Sequence, residues 1–461
     1  MLTYDIKKND KPIYENLYES IKRDILLNNV KANEKLPSKR HLAEQLNISV
    51  ITVENAYNQL MLEGYIYAIE KKGYFVEELN DNYKIIKNKK VIDDKEIKED
   101  NKQSTPVKFP YYTWAKITRK VLSENDEFVT PSFAGDIDLR KAICKHLRDF
   151  HNMNVSYKNI IIGAGSEYLY SLLVQYFSLD KIYALENPGH LAIGKTYKNL
   201  NAKYKYIDLD SEGIIIKDLI KSKANVLHIS PAHHFPTGIT TPLKRRLDLL
   251  KWANDTGSYI IEDDYDSEFR ISGNPIPPLY ELDNNDRVIY MNTFSNTLSS
   301  SFRIAYLVLP DKLIKPFLDK LGFYHSTIST LDQKILAQFI ADGYFERHIS
   351  RSRKIYREIY KELINEIKPL LKKYDLKLIE EKSGLHFLIE HNFNISDKKL
   401  EELIRKNNIN FYCLSHYYNI YKDTKQILIN YSKLNSDEIN RIIDNLDKVF
   451  KEISKHKKRT A

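Results

Sequence analysis

Cysteine is scarce in this sequence of 461 residues, and neither cysteine has a partner at a useful spacing. Cys144 and Cys413 lie far apart, with no CxxC pair and no histidine-rich segment around either. The sequence therefore supports neither a disulfide framework nor a zinc site. We expect no bound metal and a reducing, cytoplasmic environment.

Long hydrophobic runs are also missing. The segment from Met1 to Lys8 has no apolar signal core, and no run of eighteen apolar residues follows downstream. We expect a protein that is neither exported nor membrane-spanning. A hydrophobic content of 42% and a charged content of 29% over this length indicate a soluble chain of two or three domains.

A strong excess of charge of one sign is absent as well. The formal net charge of +9 is spread over a large chain, and residues 1–80 hold 11 Lys or Arg against 12 Asp or Glu. Bulk charge therefore does not indicate a nucleic-acid partner. Basic residues do cluster at two places, namely Lys35 with Lys39 and Arg40, and Lys71 with Lys72.

Apolar residues in the first 79 positions repeat with a helical period in three segments. These residues are Leu17, Ile21 and Ile25, then Leu42 and Leu46, then Val53, Tyr57 and Leu60. Ser38 opens the second predicted helix, and Ser49 is an N-cap for the third after a tight turn at Asn47. An alternating hairpin with Gly73 at its tip follows. The pattern predicts a winged helix-turn-helix over residues 1–79.

A helix-turn-helix places its second helix in the major groove, while neighbouring residues and the wing hold the phosphates. The residues that we predict to contact DNA are Lys35, Ser38, Lys39, Arg40, Ser49, Thr52, Asn55, Lys71, Lys72 and Gly73. Helical spacing alone fits a three-helix packing module with a solvated face equally well.

Residues 80–105 are about half charged and contain no glycine, which predicts a linker. From Phe109 onward, helical stretches alternate with short β-branched runs, the rhythm of a mostly parallel α/β sheet. From about Ile355 the pattern changes to long charged helices with a few strands. We expect a smaller closing subdomain there.

The residue order of the first unit resembles the winged domain of the GntR regulator family. The matching segments are Pro12-Ile-Tyr-Glu-Asn-Leu-Tyr18, Glu34 to Leu46, Ser49 to Tyr57, Leu62-Glu-Gly-Tyr65 and Gly73-Tyr-Phe-Val76. One departure stands at Val50, because the residue after Ser49 is often arginine in that family. A phosphate or base contact of the family is therefore in doubt here.

The rest of the chain resembles fold-type I aminotransferases. The matching blocks include Gly163-Ala-Gly-Ser-Glu167, Glu186-Asn-Pro-Gly189, Pro231-Ala-His-His-Phe-Pro-Thr-Gly238, Glu262 to Arg270, Phe294-Ser-Asn-Thr-Leu298 and Gly343 to His348. The tandem arrangement resembles the MocR-type subfamily of GntR regulators over nearly all of residues 10–450. It implies a fold-type I pyridoxal phosphate transferase-like α/β domain over residues 106–461, with a small C-terminal α+β subdomain.

The resemblance also implies a site for pyridoxal 5'-phosphate. Its residues are Gly165, Ser166, Glu167, His190, Asp263, Tyr265, Thr293, Ser295, Asn296 and Arg303. Asp263 would keep the ring nitrogen protonated and Tyr265 would bond the phenolic oxygen, while a helix start and Arg303 would hold the phosphate. The alternatives are that Asp263 and Asp264 form a strand-end charge pair, which is the less favoured interpretation, that Arg303 is a surface arginine and that His190 is a packing residue.

Asn296 stands where the surrounding residues call for the lysine that carries the cofactor as a Schiff base. An amide cannot form that bond. Fold-type I enzymes also clamp a substrate carboxylate with an arginine near the C-terminal end, and the segment Gln426 to Tyr431 contains none. Both departures predict a domain without catalytic activity.

We therefore expect a transcription regulator that binds an operator in double-stranded DNA and senses a small-molecule effector. The effector would be noncovalent pyridoxal phosphate, a related vitamer or an amino acid adduct of the cofactor. The resemblance implies a head-to-tail homodimer. Two alternatives remain open: a working aminotransferase with a DNA-binding appendage, and a regulator that has lost the cofactor and uses this domain for dimerisation or another metabolite.

Overall fold

The computed structural model describes residues 12–78, 106–124, 128–269, 277–379 and 384–459, without the side chains of 455–459. The chain divides into two compact units, Met1–Asn101 and Lys102–Ala461. The linker predicted over residues 80–105 lies outside the described residues.

The first unit contains three helices and a two-stranded antiparallel hairpin. Its elements are α1 Ile13–Leu26, α2 Lys39–Leu46, α3 Val50–Leu62, β1 Ile66–Ile69 and β2 Gly73–Val76. The Ser38 hydroxyl accepts from the His41 amide and begins α2, and the Ser49 hydroxyl accepts from the Thr52 amide and begins α3. Asn47, at φ 52°, ends α2 in the left-handed conformation. The predicted helix-turn-helix and hairpin are confirmed.

The core of this unit forms where the helical repeats predicted it. Leu17 and Ile21 of α1 pack with Val53 and Leu60 of α3, all fully buried. The Tyr57 hydroxyl donates to the main-chain oxygen of Pro37 at 2.9 Å. This bond fixes α3 against the segment that leads into α2.

The second unit is built on an eight-stranded sheet. Its strands are β3 Ile160–Gly163, β4 Ile182–Asn187, β5 Lys203–Asp210, β6 Gly213–Ile214, β7 Val226–Ile229, β8 Tyr259–Asp263, β9 Val288–Thr293 and β10 Ala305–Val308. The strand order is β3-β10-β9-β8-β7-β4-β5-β6, with β10 antiparallel to both neighbours and β6 antiparallel to β5. The strands β3, β9, β8, β7 and β4 therefore all end at the same edge of the sheet.

Helices cover both faces of this sheet. They are α4 Tyr111–Glu124, α5 Ile137–His151, α6 Ser166–Phe177, α7 Leu191–Asn199, α8 Ile216–Ser222, α9 Leu243–Thr256, α10 Leu279–Leu282, α11 Asp311–Leu321 and α12 Thr330–Ala341. Strands β3, β7, β9 and β10 are buried along their whole length, as parallel sheets between helical layers are. The predicted α/β architecture is confirmed.

A smaller antiparallel sheet follows the long helix α13 Tyr344–Tyr374. Its strands are β11 Lys377–Ile379, β12 His386–Glu390, β13 Tyr412–Cys413 and β14 Gln426–Asn430, in the order β11-β12-β14-β13, with helices α14 Asp397–Lys406 and α15 Ser436–Arg459. Phe345 near the start of α13 packs in a core of the large sheet, whereas Leu363 and Ile367 pack under the small one. One helix thus spans the transition expected near Ile355.

Among the described residues, no helix combines the length and the apolar character that a membrane span requires.

Candidate functional site

Two of the three polar residues predicted on the recognition helix α3 are used in its own capping. The hydroxyls of Ser49 and Thr52 lie 2.7 Å apart, and Ser49 also caps the helix. Asn55 instead is exposed one turn further on. Of these residues, Asn55 therefore has the side chain that is available to a DNA base.

The predicted phosphate-binding cations differ in their surroundings. Lys39 donates to a carboxylate oxygen of Glu54 on α3 at 2.5 Å, so that its charge is partly neutralised. The main chain of Lys35 bridges to Phe75 on β2 of the wing, and its side chain reaches toward Gly73, where a Cβ would lie 3.3 Å from its Cε. Arg40, Lys71 and Lys72 are exposed. The structure thus leaves several cations on the surface of the unit but ties Lys39 to the recognition helix.

The residues predicted at the cofactor collect at one edge of the large sheet. Gly165 to Glu167 follow β3, His190 follows β4, Asp263 ends β8, Thr293 ends β9, and Arg303 precedes the antiparallel β10. The strand order therefore brings together residues that are more than 100 positions apart in the sequence. Ligands of open α/β sheets bind at such an edge.

Asp263 is buried at the centre of this edge. Its Oδ2 accepts from the hydroxyl of Tyr170 at 2.6 Å and lies 3.5 Å from Nε2 of His228. The hydroxyl of Tyr197 lies 3.2 Å from Nδ1 of the same histidine. Burial, together with the Asp263 carboxylate, holds the pKa of Tyr170 well above its usual value, so Tyr170 stays a hydrogen-bond donor.

The start of α6 has the form of an anion-binding loop. Gly165 adopts φ 89° and ψ 169°, a conformation that essentially only glycine adopts. A Cβ there would lie 2.7 Å from Nη2 of Arg303, which in turn donates to Glu167 at 2.5 Å. The hydroxyls of Thr293 and Ser295 lie 3.1 Å apart. Helix N-H groups, hydroxyls and a guanidinium are the donors that a phosphate needs.

Asn296 is exposed to solvent and lies at this edge of the sheet, in the loop after β9. Its side-chain amide donates to the main-chain oxygen of Tyr265 at 3.1 Å. The hydroxyl of Tyr265 donates to the main-chain oxygen of His233 at 3.3 Å. The ring of His190 packs against Phe235, with centroids 5.6 Å apart. Tyr265 and His190 therefore already have protein partners at the positions where the sequence predicts cofactor contacts.

Buried histidines that the sequence predictions omitted line the same edge. His233 lies 2.9 Å from both carboxylate oxygens of Asp266, and its ring centroid lies 4.7 Å from that of His386. His234 lies 3.5 Å from Oε2 of Glu186. The two consecutive histidines after β7 could have been noticed in the sequence. Their partners Asp266, Glu186 and His386 lie in other segments, and no local sequence pattern indicates these contacts.

Glu186 is a carboxyl group in an environment that favours its protonated form. Burial raises its pKa to about 8, although the amide of Ser230 donates to it at 3.0 Å. Burial also lowers the pKa of the neighbouring His234 to about 3. At neutral pH the pair is therefore neutral on both sides.

The strand that would carry a substrate-clamping arginine presents an apolar side chain instead. Leu428 of β14 packs with Leu388 and Leu414, and Phe235 and Tyr417 lie against this cluster. The segment without arginine is thus strand β14, and Leu428 in it is buried among hydrocarbon side chains.

A surface cavity of about 390 Å³ borders the anion-binding loop. It is lined by Phe128, Thr130, Pro131 and residues 326–331. The Ala164 amide donates to the Thr327 hydroxyl at 3.2 Å, which joins the cavity wall to the loop. None of the residues predicted at the cofactor lines this cavity. Among the described residues, no cluster of histidine, cysteine or carboxylate side chains is arranged to hold a metal ion.

Comparisons with known proteins match both units. Residues 13–76 match the family of bacterial regulatory proteins named gntR, and residues 100–446 match aminotransferase class I and II. The uncharacterized HTH-type transcriptional regulator YdeL of Bacillus subtilis is 32% identical over 452 residues, covering 96% of this chain and 97% of that protein. The probable rhizopine catabolism regulatory protein MocR of Rhizobium meliloti is 26% identical, covering 98% and 96%.

The large unit also resembles solved structures. The multiple substrate aminotransferase of Thermococcus profundus superposes with a TM-score of 0.66 at 24% identity, covering 77% of this chain and 90% of that one. At 24% sequence identity, this similarity shows that the two proteins share a fold and no more than that. The two predicted resemblances, one for each unit, are thereby confirmed at the level of family and fold.

Proposed function

The chain belongs to the HTH-type transcriptional regulators that join a gntR-family domain to an aminotransferase class I and II domain, and from this premise we propose that it couples DNA binding to a small ligand held without catalysis. Membership of this family implies DNA binding. The ligand, its mode of binding and the loss of catalysis are our proposals.

The residues at the edge of the large sheet fit a phosphorylated pyridine. Asp263 supplies a buried carboxylate for a protonated ring nitrogen. Gly165 supplies a loop conformation that favours glycine, and a Cβ there would displace the guanidinium of Arg303 beside it. When bound, pyridoxal phosphate would supply an aldehyde that reacts with amines and a ring that withdraws electrons. The protein's own residues would hold and orient this group.

The observation that carries the proposal is the amide of Asn296 at the pocket mouth, bonded to Tyr265. An amide nitrogen is not a nucleophile toward the aldehyde and cannot shuttle protons. We therefore assign noncovalent binding, whose occupancy follows the ligand concentration. Such dependence suits a sensor.

The apolar cluster around Leu428 supports the absence of turnover. A guanidinium fork would fix an amino acid through its carboxylate, whereas hydrocarbon cannot. Without that orientation and without an imine-forming amine, an amino acid would not be placed for transamination.

We further propose that the protein acts as a head-to-tail homodimer, in which ligand binding changes the placement of two winged units relative to paired half-sites. A ligand shifts such an equilibrium only by its difference in affinity between the two arrangements. The resemblance supports the dimer, and the dimer would present two recognition helices, one to each half-site.

The proposal is tested by measuring DNA binding of the full chain with and without pyridoxal phosphate. Fluorescence anisotropy with DNA from the gene's own promoter should give saturable binding whose affinity or stoichiometry changes when the ligand is added. The Asp263→Asn variant should lose the response to ligand, whereas Asp319→Asn, at an exposed position on α11, should keep it. Binding to DNA that ignores the ligand would favour a domain used only for dimerisation or another metabolite.

A further inference from the structure

The exposed face of the recognition helix α3 has an unusual composition for a DNA-reading surface. The helix Val50–Leu62 contains no lysine and no arginine. Its buried side holds Val53, Ala56, Tyr57 and Leu60. What remains outward at its N-terminal half is a pair of aliphatic side chains followed by amides.

The aliphatic pair stands at the start of the helix, where recognition helices meet base edges. Val50 is 42% exposed and Ile51 is 68% exposed. The preceding polar residues do not compete for this place, because the hydroxyls of Ser49 and Thr52 bond each other. An incoming duplex would therefore meet hydrocarbon first.

The amides continue the same face. Asn55 lies four residues after Ile51 and Asn58 three residues after that, so the three side chains follow one another along the helix. Both asparagines are exposed, and neither amide has a hydrogen-bond partner among the residues that the structure describes. Glu54, on the adjoining stripe, is held by Lys39 at 2.5 Å.

Each base pair displays its own groups in the major groove, and these side chains match only some of them. Guanine is read by the paired donors of arginine or lysine, which α3 lacks. Cytosine is read by a free carboxylate, and the one on this face is paired with Lys39. Aliphatic groups contact the thymine methyl, and asparagine bonds N6 and N7 of adenine.

We propose that α3 reads A·T base pairs, with Val50 and Ile51 against thymine methyl groups and Asn55 paired with adenine. This inference rests on the proposed DNA-binding function. It predicts operator half-sites in which the base pairs contacted by α3 are A·T. Exposed cations such as Arg40 and Lys72 would contact phosphates and add affinity without sequence preference.

The test is selection of binding sites from a random duplex pool with the full chain at one fixed salt concentration, since phosphate contacts make affinity salt-dependent. The selected half-sites should be A·T at the contacted positions. Replacing the contacted thymine by uracil, which lacks only the methyl, should weaken binding about fourfold per methyl contact. Replacing adenine by 7-deazaadenine should weaken it by about 5- to 150-fold.

Protein variants assign these effects to side chains. Ile51→Ala should reduce the discrimination between thymine and uracil, because Val50 keeps its contact and alanine retains only one methyl group. Asn55→Ala should remove the discrimination between adenine and its 7-deaza form. Neither variant should change binding to unrelated DNA. Leu62→Ala, at an equally aliphatic position that is 83% exposed at the far end of α3, should change neither discrimination. Val50→Arg should move the selected base toward guanine.

Half-sites rich in G·C under α3, or wild-type binding that ignores the thymine methyl, would overturn the A·T assignment and leave the regulator proposal standing. A selection that enriches no sequence at all would overturn the proposed function together with this inference. Unchanged thermal unfolding of the four variants confirms that any loss reflects contact rather than folding, as expected for exposed positions.

Discussion

The side-chain amide of Asn296 donates to the main-chain oxygen of Tyr265 at 3.1 Å, and this bond joins the loop after β9 to the loop after β8. Both loops leave the same edge of the sheet, one beside Thr293 and the other beside Asp263. Asn296, whose amide cannot form an imine, thus links two loops at this edge of the sheet.

Asn296→Lys should introduce a reactive amine at this edge of the sheet. Incubated with pyridoxal phosphate, this variant should retain the ligand through gel filtration and show the absorbance of an imine, because the lysine can bond the aldehyde. Asn296→Gln is the matched control, since it keeps an amide and should retain none. Retention by the glutamine variant would show that residue 296 does not decide the binding mode.

Asp263→Asn should weaken binding of pyridoxal phosphate by about 10- to 150-fold. The amide removes the charge that faces a protonated ring nitrogen, and a hydrogen bond to a charged group contributes about 1.5–3 kcal/mol. Equilibrium dialysis measures this change. Asp319→Asn carries the same chemical change on the exposed surface of α11 and should bind as the wild type does. Equal affinities of the two variants would place the ring elsewhere.

Gly165→Ala should impair the anion-binding loop. The backbone conformation there costs an ordinary residue about 1–3 kcal/mol, and the new Cβ would lie 2.7 Å from Arg303. Binding of inorganic phosphate and of pyridoxal phosphate should both weaken. Gly257→Ala is the control, because Gly257 also has a positive φ but has open space around its Cβ position. It should lose some stability and keep its affinity for both anions.

Glu186 should make the large unit less stable as the pH rises. Its pKa is about 8 in the folded protein and near 4.5 when unperturbed, so between these values the folded state binds a proton that the unfolded chain has released. The free energy of unfolding should therefore fall with pH across this window, by up to about 1.4 kcal/mol per pH unit, and level off above it.

Glu186→Gln removes this titrating group and keeps a neutral side chain. Urea unfolding of wild type and variant at several pH values from 5 to 9 gives the difference that belongs to Glu186, since other groups titrate in both. The wild type should lose stability relative to the variant as the pH rises. A constant difference would mean that the carboxyl is ionised in the folded protein throughout this range.

Local signals in the sequence predicted much of the fold. The spacing of Leu17, Ile21 and Ile25 and the caps at Ser38 and Ser49 depend on near neighbours, so a single segment carries the information. The position of Asp263 at a strand end was equally local. That Asp263 and Gly165 lie at the same edge of the sheet depends on the strand order, and only the family resemblance indicated that they do.

What the sequence did not predict arises from contacts between distant segments. The ion pair of Lys39 with Glu54 spans two helices, and the bond from Tyr170 to Asp263 joins residues 93 positions apart. Tyr170 lies one helical turn beyond Ser166, which was a usable signal once α6 was placed. The raised pKa of Glu186 depends on burial from several elements, which no sequence pattern shows.

The most direct test of the central claim is borohydride reduction of the wild-type protein titrated with pyridoxal phosphate, followed by mass spectrometry of its peptides. Absorbance should show saturable binding, and reduction should leave every peptide of the pocket at its unmodified mass, because the bound ligand forms no imine. A reduced adduct on a lysine that increases in proportion to occupancy of the site, from low occupancy upward, would contradict noncovalent binding. Absence of saturable binding would contradict the proposed ligand.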